Sequence, residues 1–121
     1  ADLILGRKSY SPEEACQNML KLMKLPESER PTAVFAASDD LALGVYQAAE
    51  QLGFKIPDDI ALIGYGHLEK TDKQGHHLST IRQNGYEIGK LAGEALLNKI
   101  TSPELETNSR HKILVPTELI V

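Results

Sequence analysis

The sequence predicts an α/β fold built on a parallel sheet, and two observations carry that prediction. Two short apolar runs, 31–37 and 60–65, have the length and composition of buried strands. The segment between them, 40–52, repeats its apolar residues at helical spacing. A helix joined to two strands by short connections is a βαβ unit, so we expect the two strands to be parallel neighbours in one sheet.

The first element along the chain is a helix from about Pro12 to Leu25. Ser11 can cap it, Pro12 suits the first helical position because its missing N–H is not needed there, and Glu14 completes a capping box. Pro26 and the polar residues that follow it end the helix. The apolar residues at helical spacing, expected to face the sheet, are Ala15, Cys16, Met19, Leu20, Leu22 and Met23.

The predicted βαβ unit has clear boundaries. The strand 31–37 is apolar without interruption, so we expect it to be buried on both faces, as strands of parallel sheets are. Ser38 or Asp39 can cap the helix, and Gly53 can end it in the left-handed conformation. The inward stripe of the helix is expected to be Leu41, Val45, Ala48 and Leu52.

The remaining chain holds three further predicted elements. After a polar loop at 66–78, a brief strand is expected at 80–82, and a helix at 86–100. A polar linker then leads to the apolar terminal run 113–121. The residues expected on the inward face of the last helix are Ile88, Leu91, Ala92, Ala95 and Leu96.

Composition excludes several classes of function. The 121 residues suit one domain, and a net charge of −4 without a basic stripe argues against direct binding to nucleic acid. A single cysteine, Cys16, cannot form an intrachain disulfide or a cysteine-based metal site. No apolar run approaches the roughly 20 residues that span a membrane. Because the N-terminus carries neither a Met nor a secretion signal, we expect a cytoplasmic piece of a larger protein.

Candidate binding residues follow the two predicted strands, since ligands of open α/β sheets bind beyond the carboxyl ends of the strands. Asp39 either bonds to a ligand hydroxyl or only caps the helix. Gly66 either lets a ligand approach the backbone or only serves a turn. His67 either donates to a ligand or is simply solvated. All three alternatives stay open at this point.

Catalytic and metal-binding patterns are not expected here. The consecutive His76 and His77 point to opposite sides of an extended segment, so they cannot converge on a metal. The neighbours Asp39 and Asp40 diverge by about 100° on a helix, which separates them as an acid–base pair. The sequence has no nucleophile elbow and no phosphate-binding glycine loop. We therefore expect no enzyme, no metal site and no cofactor.

Five stretches carry a resemblance to a known family, in order along nearly the whole chain: 31–44, 53–65, 78–83, 86–89 and 114–121. In these stretches the chain resembles the lactose-repressor/galactose-repressor (LacI/GalR) family of transcriptional regulators. It implies a truncated three-layer (αβα) parallel sheet, the C-terminal lobe of a periplasmic-binding-protein-like fold. It also implies that 1–80 and 111–121 form this lobe, and that the helix 84–100 belongs to an N-terminal lobe that is missing along with the helix-turn-helix.

The resemblance also implies roles for individual residues. Tyr10 matches an aromatic residue that stacks on the effector, Gln83 matches a residue of the cleft wall, and Ser38 with Asp39 matches an Asn-Asp pair at the cleft. Ser38 departs from the family's usual Asn. Gly66 stands where the family has an aspartate that grips the effector, so the ligand is expected to be a sugar, a phosphosugar or a related metabolite.

The function implied is effector sensing within a cytoplasmic homodimeric regulator, often a repressor, that reaches operator DNA only through the missing helix-turn-helix. Leu43 and Tyr46, off the inward stripe of their helix, match the homodimer contact. The apolar face of the helix 84–100 has no sheet to cover it, so we expect that helix to pack on a partner chain or another surface. The alternative function is a periplasmic sugar-binding protein, which shares the fold but requires a signal peptide.

Overall fold

The computed structural model describes residues 11–66, 78–102 and 112–121 of the chain. Over these residues, helices and strands alternate along most of the chain. They are α1 (Pro12–Leu22), a 3-10 helix (Glu27–Glu29), β1 (Ala33–Phe35), α2 (Asp39–Leu52), β2 (Ala61–Gly66), β3 (Thr80–Arg82), α3 (Gly85–Thr101) and β4 (Glu118–Ile120).

The strands form one sheet in the order β1-β2-β3-β4. Strands β1 and β2 are parallel with Val34 opposite Leu62, and β2 and β3 are parallel with Gly64 opposite Thr80. This confirms that the two apolar runs are parallel neighbours. Because parallel strands end at the same side of a sheet, the carboxyl ends of β1, β2 and β3 share one edge.

The chain divides into two compact units. The first runs to Arg82 and includes Leu119–Val121, and the second is Gln83–Glu118. The first unit therefore holds α1, α2 and the first three strands, while the second holds α3.

The core of the first unit lies between α1, α2 and one face of the sheet. Strand residues on alternate positions, such as Val34 and Leu62, point toward the helices, as the period of two requires. Gly44 of α2 packs closely against Pro12 and Ala15 of α1. The buried residues of this core are Cys16, Met19, Met23, Ala36, Ala42, Val45, Ala48, Ile60, Leu62 and Leu78.

Helix α1 begins as the sequence predicts and ends earlier. The Ser11 hydroxyl accepts the Glu14 backbone N–H at 3.2 Å, and Pro12 occupies the first turn. The helix ends at Leu22 instead of Leu25, because the Met23 N–H still bonds back to Met19 while Lys24 turns to a tighter bond with Lys21. A chain that tightens in this way leaves the α-helical repeat before the proline is reached.

Replacing Ser11 with Ala is expected to lower the free energy of unfolding by about 1 kcal/mol, because the capped N–H of Glu14 loses its acceptor. Thermal or urea unfolding monitored by circular dichroism measures this. Ser28→Ala, an exposed serine of the short 3-10 helix, serves as the matched control and is expected to change stability by less than about 0.5 kcal/mol. Equal losses in the two variants would contradict the capping role of Ser11.

Two predictions about burial are wrong. Strand β1 is not buried on both faces, since Phe35 is 61% exposed. The reason is that α1 and α2 both pack on the face that carries Val34, whereas Phe35 points to the opposite face. On α2, Leu52 is exposed while Ala42 and Ala49 are buried, because this helix packs against both α1 and β2 and so buries more than one stripe.

Helix α3 has the predicted position but not the predicted burial. It covers Gly85–Thr101, and Asn84 caps it by accepting the Glu87 N–H. None of its residues is buried, and Leu96, expected to face inward, is 60% exposed. Its large apolar side chains are mostly exposed, and the expectation that it packs on a partner chain or another surface stays a prediction.

Among the described residues, no helix combines the length and the apolar character needed to cross a membrane.

Candidate functional site

Ser38 lies three residues beyond Phe35, the last residue of β1, and is the N-cap of α2. Its extended backbone turns into the helix, and its hydroxyl accepts the Leu41 N–H at 3.3 Å. The Ser38 carbonyl accepts the Ala42 N–H at 3.1 Å. These bonds fix the serine at the sheet edge and leave its side chain half-buried.

Asp39 is the first residue of α2, and its side chain is fully buried, with 0% of its surface exposed. The Thr80 hydroxyl of β3 donates to Asp39 Oδ1 at 2.7 Å. A carboxylate taken out of water needs such partners, and Thr80 is itself only 2% exposed. Of the two candidates for the helix cap, Ser38 takes that role, and Asp39 instead joins the start of α2 to β3.

Gly64 completes this buried arrangement on the strand between. It lies opposite Thr80 in the register, and its N–H donates to the Ser79 carbonyl at 2.8 Å. A Cβ added at Gly64 would overlap Asp39 Oδ1 and lie 2.9 Å from Leu78 Cδ2. The missing side chain of Gly64 is therefore what makes room for the Asp39 carboxylate over the sheet.

Gly66 ends β2 with φ of 126°, a conformation that residues with a side chain rarely adopt. A Cβ there would meet no atom within 4 Å, so the space beside the backbone is open. The glycine is thus explained by backbone conformation and not by crowding. An aspartate, which the family resemblance places here, would be strained on this backbone.

The predicted site residues fall into three groups. Ser38 and Gly66 lie at the same sheet edge, with Asp39 buried behind Ser38. Gln83 is exposed and begins the second unit, directly after β3. Tyr10 and His67 lie outside the described residues, as do His76 and His77, so their roles stay predictions.

The two residues expected at a homodimer contact, Leu43 and Tyr46, are both half-buried on α2. Tyr46 packs partly against the core, so it lies closer to the inward side of the helix than its spacing suggested. Their role in a dimer also stays a prediction.

Sequence reasoning missed Thr80 and Gly64 as parts of this site. The available signals were a glycine inside an otherwise apolar strand and a threonine at the start of a short one. Neither signal identifies Asp39 as the partner, because that contact joins residues 41 positions apart. Within the described ranges, no three His, Cys, Asp or Glu side chains come together as metal ligands would.

Residues 4–121, nearly the whole chain, match the model of the periplasmic binding protein-like domain. The chain belongs to this family. Curated relatives of this periplasmic binding protein-like domain are repressors. The ribose operon repressor of Haemophilus influenzae is 46% identical over 93 residues, covering 77% of this chain and 27% of the relative. The transcriptional repressor CytR of Escherichia coli is 35% identical over 117 residues, covering 97% of this chain and 33% of the relative.

Solved structures give the same relationship for the domain. A LacI family regulator from Enterococcus faecium with bound ribose matches with a TM-score of 0.78 and 30% identity, over 98% of this chain and 42% of that one. The lac repressor dimer bound to operator and an anti-inducer matches with a TM-score of 0.75 and 25% identity, over 92% of this chain and 37% of that one. These matches confirm the α/β class and the resemblance to LacI-type regulators. The chain spans about a quarter to a third of the length of its curated relatives.

Proposed function

We propose that this chain is the effector-sensing and dimerisation part of a LacI-type transcriptional regulator, and that its effector is a ribose-class sugar. The observation that carries the proposal is the shared edge of the parallel strands β1 and β2. Ser38 follows β1 and Gly66 ends β2 at this edge, and the relatives include a ribose operon repressor and a regulator with bound ribose. Open α/β sheets bind their ligands at such edges.

The chemistry at the described strand ends suits a neutral polyol. Asp39 is withdrawn from the surface by its burial, and Ser38 offers a hydroxyl. Gly66 offers backbone groups beside open space. Hydroxyls of a pentose require hydrogen-bond partners, which Ser38 and the backbone at Gly66 can supply. Arg82, opposite Gly66 at the end of β3, carries a positive charge at the same edge, so the preference for ribose over a phosphosugar rests on the relatives. The relatives named for ribose support the same class.

The proposal assigns this chain a role in binding and none in catalysis. Effector binding would change the relative populations of two states of a homodimer in the cytoplasm, and the affinity for operator DNA would change through a DNA-binding segment elsewhere in the protein. Leu43 and Tyr46 of α2 are the proposed dimer contact. The relatives that support this arrangement are repressors, and one of them is a dimer bound to operator.

D-Ribose is expected to raise the unfolding temperature of the intact protein. At a ribose concentration a hundred times the Kd, binding to the folded state alone stabilises by about 2.7 kcal/mol. Gln83→Ala is expected to weaken ribose binding by about tenfold, since it removes an exposed amide at the proposed cleft wall. Gln17→Ala, an exposed glutamine on α1, is the matched control and should leave the Kd unchanged.

Thermal shift and calorimetric titration with D-ribose, D-galactose and D-ribose 5-phosphate separate the alternatives. Stabilisation by ribose 5-phosphate alone would show that the effector is a phosphosugar and not the sugar proposed here. The absence of any shift with all three compounds would overturn the sensing role itself.

A further inference from the structure

A buried hydrogen bond joins the start of α2 to the start of β3 and lies next to Gly64 of β2. Asp39 opens α2, Thr80 opens β3, and the bond between their side chains measures 2.7 Å. Gly64 of β2 lies beneath the carboxylate, since any side chain there would overlap Asp39 Oδ1. The Asp39 carboxylate therefore bonds to β3 and packs against β2, two strands that are far from α2 or from each other in the sequence.

The residues of the proposed effector site extend directly from these three points. Ser38 immediately precedes Asp39, and Gly66 follows Gly64 by one intervening residue on the same strand. Arg82, the last residue of β3, lies opposite Gly66 in the register. A change in the distance between Asp39 and Thr80 would thus move Ser38 relative to the ends of β2 and β3.

We propose that Asp39 is a positioning residue of the effector site, which acts by accepting the Thr80 hydroxyl above Gly64 and so fixes the distance between Ser38 and the strand end at Gly66. This inference rests on the proposed sensing function. It assigns Asp39 a role different from direct contact with the effector, because a fully buried carboxylate is not accessible to a ligand. It also adds Thr80 and Gly64 to the residues on which effector affinity depends.

The energetic basis is the cost of an incomplete buried pair. Removing the Thr80 hydroxyl takes away one hydrogen bond of a carboxylate that is fully buried. The carboxylate would then shift toward its remaining contacts, and α2 would move with it because Asp39 is part of its first turn. Binding sites tolerate little such movement.

Three variants of the intact protein test the role, with D-ribose as the probe and isothermal titration as the measurement. Thr80→Val removes the hydroxyl at nearly constant shape and is expected to weaken ribose binding by about tenfold or more. Thr80→Ser restores the hydroxyl and is expected to stay within about threefold of wild type. Asp39→Asn keeps a carbonyl oxygen for Thr80 and is also expected to stay within about threefold.

Ile60→Val provides the control for a purely structural effect. Ile60 is 1% exposed and precedes β2 at the end of the sheet away from the site, so this variant should lose stability, by about 1 kcal/mol, without losing ribose affinity. All titrations are made well below the unfolding temperature of the least stable variant. If Ile60→Val loses as much ribose affinity as Thr80→Val, the loss follows from lower stability alone, and the proposal is overturned.

The remaining outcomes separate this inference from the function on which it rests. If wild type binds ribose and Thr80→Val binds it equally well, the positioning role fails while the sensing function stands. If Asp39→Asn loses affinity while Thr80→Ser keeps it, Asp39 contacts the effector through its charge and the positioning role is overturned. This comparison does not depend on whether Thr80→Val folds. If wild type does not bind ribose, the proposed effector and the role of Asp39 fail together.

Discussion

Replacing Gly64 with Ala is expected to lower the free energy of unfolding by about 3 kcal/mol. The added Cβ would overlap the Asp39 carboxylate and press on Leu78. The carboxylate would have to move, which breaks its buried bond with Thr80. Overpacking and the lost hydrogen bond therefore add to each other.

Urea unfolding of the Gly64→Ala variant measures this loss. Ala61→Val is the matched control, because it also enlarges a side chain of β2 but on an exposed position of the strand. We expect that control to change stability by less than about 0.5 kcal/mol. A Gly64→Ala protein as stable as wild type would show that the carboxylate can move freely, and would count against its fixed position.

Replacing Gly44 with Ala is expected to destabilise the protein by about 2 kcal/mol, although Ala is the better helix former by about 1 kcal/mol. The added methyl group would overlap the Pro12 carbonyl oxygen and lie 2.7 Å from Ala15 Cβ. A backbone carbonyl cannot swing aside as a flexible side chain can. The helices α1 and α2 would therefore have to separate along their shared core.

Gly93→Ala supplies a control with the same chemical change and the opposite expected sign. Gly93 lies within α3, and a Cβ there would meet nothing within 4 Å. Helix propensity alone then operates, and we expect greater helix content and a stabilisation of up to about 1 kcal/mol. Thermal unfolding followed by circular dichroism compares the two variants. Stabilisation by both would mean that the contact between α1 and α2 is looser than the structure shows.

Much of the fold was predictable because its signals are local. Ser11 and Ser38 bond to N–H groups three residues onward, and Gly53 takes the left-handed conformation with φ of 74° at the end of α2. These interactions depend on neighbours within one turn, so the residues themselves identify them. The parallel pairing of β1 and β2 followed from the helix between them.

The sequence by itself determined the α/β class, the approximate bounds of the main helices and strands, and the edge where Ser38 and Gly66 lie. Only the tertiary structure decided that Asp39 is fully buried, that Thr80 is its partner, that Gly64 makes room for the carboxylate, and that Phe35 is exposed. The physical reason is the distance along the sequence over which each interaction acts. Caps and periodicity act within a few residues, whereas the bond between Asp39 and Thr80 spans 41 positions and depends on how three segments pack.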